Sequence, residues 1–195
     1  MTEICVQAYT ALEELQRKLE NAGFEFVENY NNSDTYFSIL NENDVENVDY
    51  KTLLDSSLIV RHIVGDSCDI KNLVYKKKTL DENGNVIKEI KTKLKIDDID
   101  KAKQMFSSLG LTCWCDYINH NYEYKKGEIS IIVQYVDSLG LFIEIEEFNS
   151  IKDKSDKEKF AILKDIVNSL NLPLGSDFSC KKPYMYLNKT KEHHV

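Results

Sequence analysis

Glu144 and Glu146 stand two residues apart in the run VDSLGLFIEIE at residues 136–146. Ile143 and Ile145 alternate with them, so the run reads as a strand with one acidic face and one apolar face. Side chains two apart on a strand are separated by about 6.6 Å. Two carboxylates at that spacing can share one divalent cation or flank a polyanion. Hard cations such as Mg²⁺ and Mn²⁺ favour such oxygen donors.

The same two-faced pattern recurs along the chain. Glu3, Cys5 and Gln7 oppose Ile4, Val6 and Ala8; Arg61 and Ile63 oppose Val60 and His62; Lys76 and Lys78 oppose Tyr75. Glu89, Lys91 and Lys93 oppose Ile90 and Leu94, and Ser130, Ile132 and Gln134 oppose Ile129, Ile131 and Val133. The polar faces meet either bulk water, as in most antiparallel sheets, or an enclosed lumen.

These faces need strands to carry them. Alternation predicts strands over residues 3–9, 24–30, 35–40, 57–64, 72–78, 86–96, 112–124, 128–135 and 141–148. Asn31-Asn32-Ser33 reads as a turn, residues 41–49 as a polar loop, and residues 81–84 as a hairpin turn. Thr10 offers an N-cap for a helix with a Leu12, Leu15 and Leu19 stripe, ended by Gly23. Asp98 or Asp100 caps a second helix that Gly110 ends. Residues 155–170 form an amphipathic third, ended by Pro173 and Gly175, and residues 184–187 add a short helix. The sum is an antiparallel α+β domain of eight or nine strands, barrel-like, with helices packed outside. One domain over residues 1–195 is expected, with a core at about 2–148 and a helical part at about 155–190.

The net charge of −8 and pI near 5.1 argue against a nucleic-acid or anionic-membrane surface. No apolar run is long enough to span a bilayer, and MTEICVQAY lacks the basic start and apolar core of a secretory leader. The expectation is a soluble cytoplasmic protein. Five cysteines, an odd number, argue against a disulfide framework. Cys113-Trp114-Cys115 has no second pair at zinc spacing, so the two thiols read as buried neighbours on one face. Trp114 and Tyr36 read as packing residues, and His62, on an apolar face, as packed. His120 is a weak candidate for a general acid.

The pattern V-x-x-L-G-x-F-x-E-I-E at residues 136–146 resembles the signature near the end of the CYTH family of class IV adenylate cyclases, thiamine triphosphatases and inorganic triphosphatases. Asp34-Thr35-Tyr36-Phe37 resembles that family's D-x-Y-F, Leu58-Ile59-Val60-Arg61 its L-R-x-R, and Leu73-Val74-Tyr75-Lys76 its L-T-Y-K. The resemblance spans about residues 2–147. It implies a triphosphate tunnel lined by the polar faces. The metal ligands it implies are Glu144, Glu146, Glu3 and Glu89, holding Mg²⁺ or Mn²⁺. Phosphate would be bound by Arg61, Lys76, Lys78, Lys91 and Lys93. Hydrolysis by water and cyclisation by a ribose hydroxyl both remain open.

The sequence departs from the family at several positions. Of E-x-E-x-K only Glu3 survives, with Cys5 and Gln7 at the other two. Ile59 replaces an Arg, and residues 88–95 read KEIKTKLK where R-x-E-x-E is usual. Tyr117, Asn119 and Tyr122 stand for K-x-R-x-x-Y, and Gln134 replaces an Asp. The alternative reading is therefore a catalytically degenerate domain that binds an anion or a partner. The expected partner is a triphosphate or another phosphorylated small molecule, with neither nucleic acid nor membrane; a homodimer is left open.

Overall fold

Alternating apolar residues build eight strands: β1 (Glu3–Ala8), β2 (Glu25–Ser38), β3 (Ser56–Gly65), β4 (Cys68–Leu80), β5 (Val86–Lys95), β6 (Thr112–Lys126), β7 (Ile129–Val136) and β8 (Gly140–Glu146). Helices among the described residues include α1 (Leu12–Asn21), α2 (Ile99–Ser108), α3 (Asp156–Asn168) and α4 (Lys182–Glu192). The computed structural model describes residues 2–40, 45, 47–49, 52, 53, 56–80 and 86–192, with the backbone alone at 56, 78–80, 86–89, 191 and 192. The strands form one sheet in the order β1-β8-β7-β6-β2-β3-β4-β5. Among the described residues no helix is long and apolar enough to cross a membrane. The chain divides into two compact units, Met1–Tyr30 with Asn119–Lys181 and Asn31–Ile118 with Lys182–Val195.

In the first unit, Ile4, Val6, Ile131, Val133, Ile143 and Ile145 turn one sheet face into a core at 0–1% exposure. Leu15 and Leu19 of α1 and Leu163 and Val167 of α3 close it, each fully buried. Each such side chain contributes about 1.5–3 kcal/mol of burial. Gly23 ends the α1 segment at φ +83°, a conformation that costs glycine little. Thr10 does not cap α1. Ala11 holds that position with no side-chain bond, and Glu13 and Glu14 in the first turn complement the helix dipole instead. Ser155 caps α3 in a reciprocal capping box with Glu158. That helix stops at Asn168, before the expected Pro173, and the chain turns at Asn171 with φ 51°.

Both edges of β1 are held. One pairs with β8, and the other bonds the chain near residues 173–180: the Cys5 amide donates to Phe178 O (3.0 Å), Cys180 N to Cys5 O (2.9 Å) and Gly175 N to Gln7 O (2.9 Å). At the start of β1, Glu147 locks the strand ends together. Its amide donates to Thr2 O (2.8 Å), and its carboxylate accepts from Thr2 N (3.0 Å) and pairs with the buried Lys159 (2.9 Å).

In the second unit, β2, β3 and β4 pack on α2 through Phe37, Val60, Ala102 and Phe106, with Leu58, Leu73 and Ile99 beside them. Asp98 caps α2 by accepting from Lys101 N at 3.0 Å. Tyr36 lies against Trp114 (5.1 Å between ring centroids) and Tyr117 (6.1 Å), and Tyr117 stacks on Tyr186 of α4 (5.5 Å). Tyr36 and Trp114 are thus packing residues, as expected.

Several expectations need correction. Residues 31–33 are no turn: β2 is one strand of 14 residues. It lies between β6 and β3, so ladder bonds on both edges outweigh a local turn preference. Trp114 and Cys115 are buried in succession, which breaks the period of two and leaves Cys113 exposed. Desolvation pushes the Cys115 thiol pKa well up. His62 is not packed in the core. It is partly exposed, with Nε2 2.7 Å from Asp69 Oδ1. The hairpin turn at 81–84 and most of the loop at 41–49 lie outside the described residues.

Burial works to raise the Glu147 pKa, but the bonds from Lys159 and Thr2 hold it below the ordinary 4.5. A lowered carboxylate pKa stabilises the fold above the unfolded value, and that stability is lost as pH falls through the folded value. Glu147→Gln is therefore expected to be less stable at neutral pH and to lose less on acidification below about pH 4.5. Urea unfolding across pH checks this; parallel acid limbs for the two proteins would contradict it.

Candidate metal centre and basic strand face

β1 runs antiparallel to β8 with Glu3 opposite Glu146 and Cys5 opposite Glu144. Residues paired across an antiparallel ladder share a face. All four side chains therefore lie opposite the buried Ile4, Ile143 and Ile145. One carboxylate oxygen from each of Glu3, Glu144 and Glu146 lies within 4.8 Å of the other two, at half-buried positions. Two oxygens bound to one Mg²⁺ at about 2.1 Å are at most about 4.2 Å apart. A small rotamer change closes that difference, so the donor set fits a hard dication. Like charges directly opposite on a ladder repel, and a bound cation would relieve this repulsion. Three of the four expected metal ligands thus come together. Glu89 is placed by backbone alone, opposite Lys78 on β4.

The rest of this face in the same unit is polar but mostly neutral. Glu123 accepts from Ser130 Oγ (2.9 Å) and pairs with Lys125 (2.9 Å). Gln134 donates to Asn121 Oδ1 (3.1 Å), and Asn121 donates to the carbonyls of Tyr30 (3.2 Å) and Asn119 (3.1 Å). Gln7 donates to Leu139 O at 2.7 Å. Asn119, Asn121 and Gln134 are at most 5% exposed. Carboxamides can be buried there because hydrogen bonds satisfy them; an unpaired charge would cost far more. Asn119 Oδ1 is the exception, buried without a partner among the described residues. His120 alternates with Asn119 and Asn121 onto the opposite face, its ring 6.0 Å from Tyr135.

In the second unit, the ladders β3–β4 and β4–β5 put all five expected phosphate-binding positions on one face. Arg61 is opposite Asn72, Lys76 opposite both Ser57 and Lys91, Val74 opposite Lys93, and Lys78 opposite Glu89. This pairing also sets the register of residues 88–95. Lys76 and Lys91 are like charges at facing positions.

Arg61 has a strong partner that the sequence did not announce. Its Nε and Nη2 donate to the two oxygens of Asp34 at 2.6 and 2.5 Å, with Asp34 1% exposed. Burial works to lower the Arg61 pKa, but the Asp34 carboxylate raises it well above its ordinary value, so the guanidinium stays charged. Desolvation, with Tyr117 and Asp34 close by, raises the pKa of the Tyr36 phenol. No local pattern marks Asp34 as a partner, because the pairing joins positions on different strands.

Removing one member of a buried ion pair costs about 3–5 kcal/mol, because the other charge is left uncompensated. Asp34→Ala is expected to lose about that much stability in urea unfolding, and Asp34→Ala with Arg61→Met to recover most of it. Equal losses for the single and double variants would contradict the assigned pair.

No family model matches the chain. A protein of Methanocaldococcus jannaschii named as a candidate adenylate cyclase is 28% identical over 171 residues, 87% of this chain and 88% of that one. Among solved structures, a Pyrococcus horikoshii protein has a TM-score of 0.71 at 22% identity, over 97% of this chain and 99% of that chain. A Hippeastrum protein named as a candidate adenylyl cyclase, and described as having a dominant triphosphatase activity, has a TM-score of 0.64 at 14% identity, over 96% and 95%.

Proposed function

We propose that the chain is a CYTH-like protein, as its similarity to a candidate adenylate cyclase supports, and that it binds a triphosphate with a divalent cation and hydrolyses it slowly. The observation that carries this reading is the convergence of Glu3, Glu144 and Glu146 within 4.8 Å. Those three residues would hold Mg²⁺ or Mn²⁺. When bound, the cation would neutralise phosphate oxygens as negative charge shifts toward the leaving group. In the second unit, Lys76, Lys91 and Lys93 share a strand face whose positive charge would suit phosphate oxygens. Arg61, held in place by Asp34, adds a fixed positive charge.

Hydrolysis is favoured over cyclisation on simple grounds. Attack by water needs charge stabilisation and one solvent molecule. Attack by a ribose hydroxyl also needs the sugar held in line, which demands more contacts.

A second reading, anion binding without turnover, is favoured by one observation. Gln7, Asn119 and Gln134 are carboxamides where the resembling family carries charges. Losing one electrostatic stabiliser can lower a rate by about 10²–10³.

Thermal unfolding with Mn²⁺ and tripolyphosphate together tests the first reading. A ligand at a hundredfold excess over its Kd stabilises by about 2.7 kcal/mol, or about 5–10 °C for a chain of this size. The expected result is a rise that needs both components and is lost in Glu144→Gln and Glu146→Gln, with phosphate released from a panel of triphosphates. A metal-dependent rise without product supports the binding reading. A rise indifferent to metal, or unchanged in the Gln variants, contradicts the assigned centre.

A further inference from the structure

We propose that Lys125, which lies outside the motifs of the resembling family, is the cation that grips the phosphate chain beside the carboxylate centre. This rests on the reading that Glu3, Glu144 and Glu146 hold a dication for a triphosphate, and it names a residue that orients that substrate. The ladders place it. Lys125 is opposite Ser130 in β6–β7. The β7–β8 register, with Ile131 opposite Ile145 and Ile132 opposite Glu144, brings Ser130 level with Glu146, itself opposite Glu3. Lys125, Ser130, Glu146 and Glu3 form one row across four strands, on one face and within one unit. Two strand spacings, about 9.6 Å, separate the backbones of Lys125 and Glu146.

The side chain leans toward the centre. One oxygen of Glu123 lies 2.9 Å from both Lys125 Nζ and Ser130 Oγ, so the ammonium is drawn toward β7, the strand between it and Glu146. The same Glu123 contact raises the Lys125 pKa, so the group stays charged. An ammonium has three donors, and Glu123 takes one; the half-exposed side chain keeps the others for an anion. Among the described residues, Lys125 is the one cation on this face of β1, β6, β7 and β8. Its neighbour Lys126 points to the other face and donates to Ala22 O at 2.7 Å.

Charge balance gives this lysine its task. Three carboxylates outweigh one dication, so a centre with metal bound still carries net negative charge and repels a polyanion. A cation in the same row offsets that remainder and supplies a flexible donor for phosphate oxygens. An ion pair as exposed as Lys125 with Glu123 does little for stability, so a purely structural role predicts no effect on ligand binding.

The test is calorimetric titration of the full chain with Mn²⁺ alone and with Mn²⁺-tripolyphosphate. In Lys125→Gln the affinity for the complex is expected to fall roughly tenfold, as for one charge-assisted hydrogen bond. Affinity for Mn²⁺ alone is expected to stay level or rise, because a positive charge near the centre is gone. Lys125→Arg is expected to restore most of the affinity for the complex. Glu123→Gln is expected to bind it more tightly than wild type, since the ammonium is freed and a negative charge removed. Lys101→Gln, which removes an exposed lysine from α2, is expected to match wild type. Unchanged affinity for the complex in Lys125→Gln, or an equal fall in Lys101→Gln, overturns the role of Lys125 and leaves the carboxylate centre standing. A parallel loss of Mn²⁺ affinity in Lys125→Gln marks a structural effect and also overturns it. A wild type that binds Mn²⁺ but not the complex, or binds neither, removes the underlying reading instead.

Discussion

Carboxylates that repel one another must be held side by side for this chain to have a metal centre, and the β1–β8 ladder does the holding. Glu3 faces Glu146 across the two strands, and Glu144 follows at the next same-face position. Each pair of like charges at that range is unfavourable. The opposing force comes from the reverse face, where Ile4, Val6, Ile143 and Ile145 are almost fully buried under α1 and α3. Glu147, Thr2 and Lys159 fasten the end of the ladder nearest Glu3. The apolar core thus holds an acidic patch in place and leaves it ready for a cation.

Charge is handled differently elsewhere. On β3 the positive fork of Arg61 is buried against Asp34, so a permanent charge is kept at a fixed orientation. On β6 and β7 the buried positions carry Asn121 and Gln134, whose hydrogen bonds stand where charged groups would need partners. On β4 and β5, Lys76, Lys91 and Lys93 share one face, with Lys76 and Lys91 opposed.

Much of the fold was legible because strand faces alternate and helices end in glycine. The Ile–Glu alternation of β8 announced both its core side and its acidic side, and Gly23 and Gly110 marked where α1 and α2 give way to strands. Local signals failed where tertiary pairing overruled them. Asn31-Asn32-Ser33 has turn chemistry but lies within a strand bonded on both edges. Thr10 suits a cap but stands one residue before the position that needs one. Trp114 turns inward beside Cys115, so the expected face for Cys113 was lost. At the site, Glu144 and Glu146 could be read together from spacing. That Glu3 joins them depends on the pairing of the first strand with the last, which only the family resemblance suggested. The Asp34 partner of Arg61 left no sequence trace, because ion pairs between strands have no characteristic spacing.

The central claim is that three carboxylates on β1 and β8 form one cation site. Anomalous scattering from crystals of the protein grown with Mn²⁺ tests it most directly. The account predicts one strong peak within about 2.2 Å of oxygens from Glu3, Glu144 and Glu146. Manganese bound at other residues, or no peak between these strands at saturating metal, would contradict it.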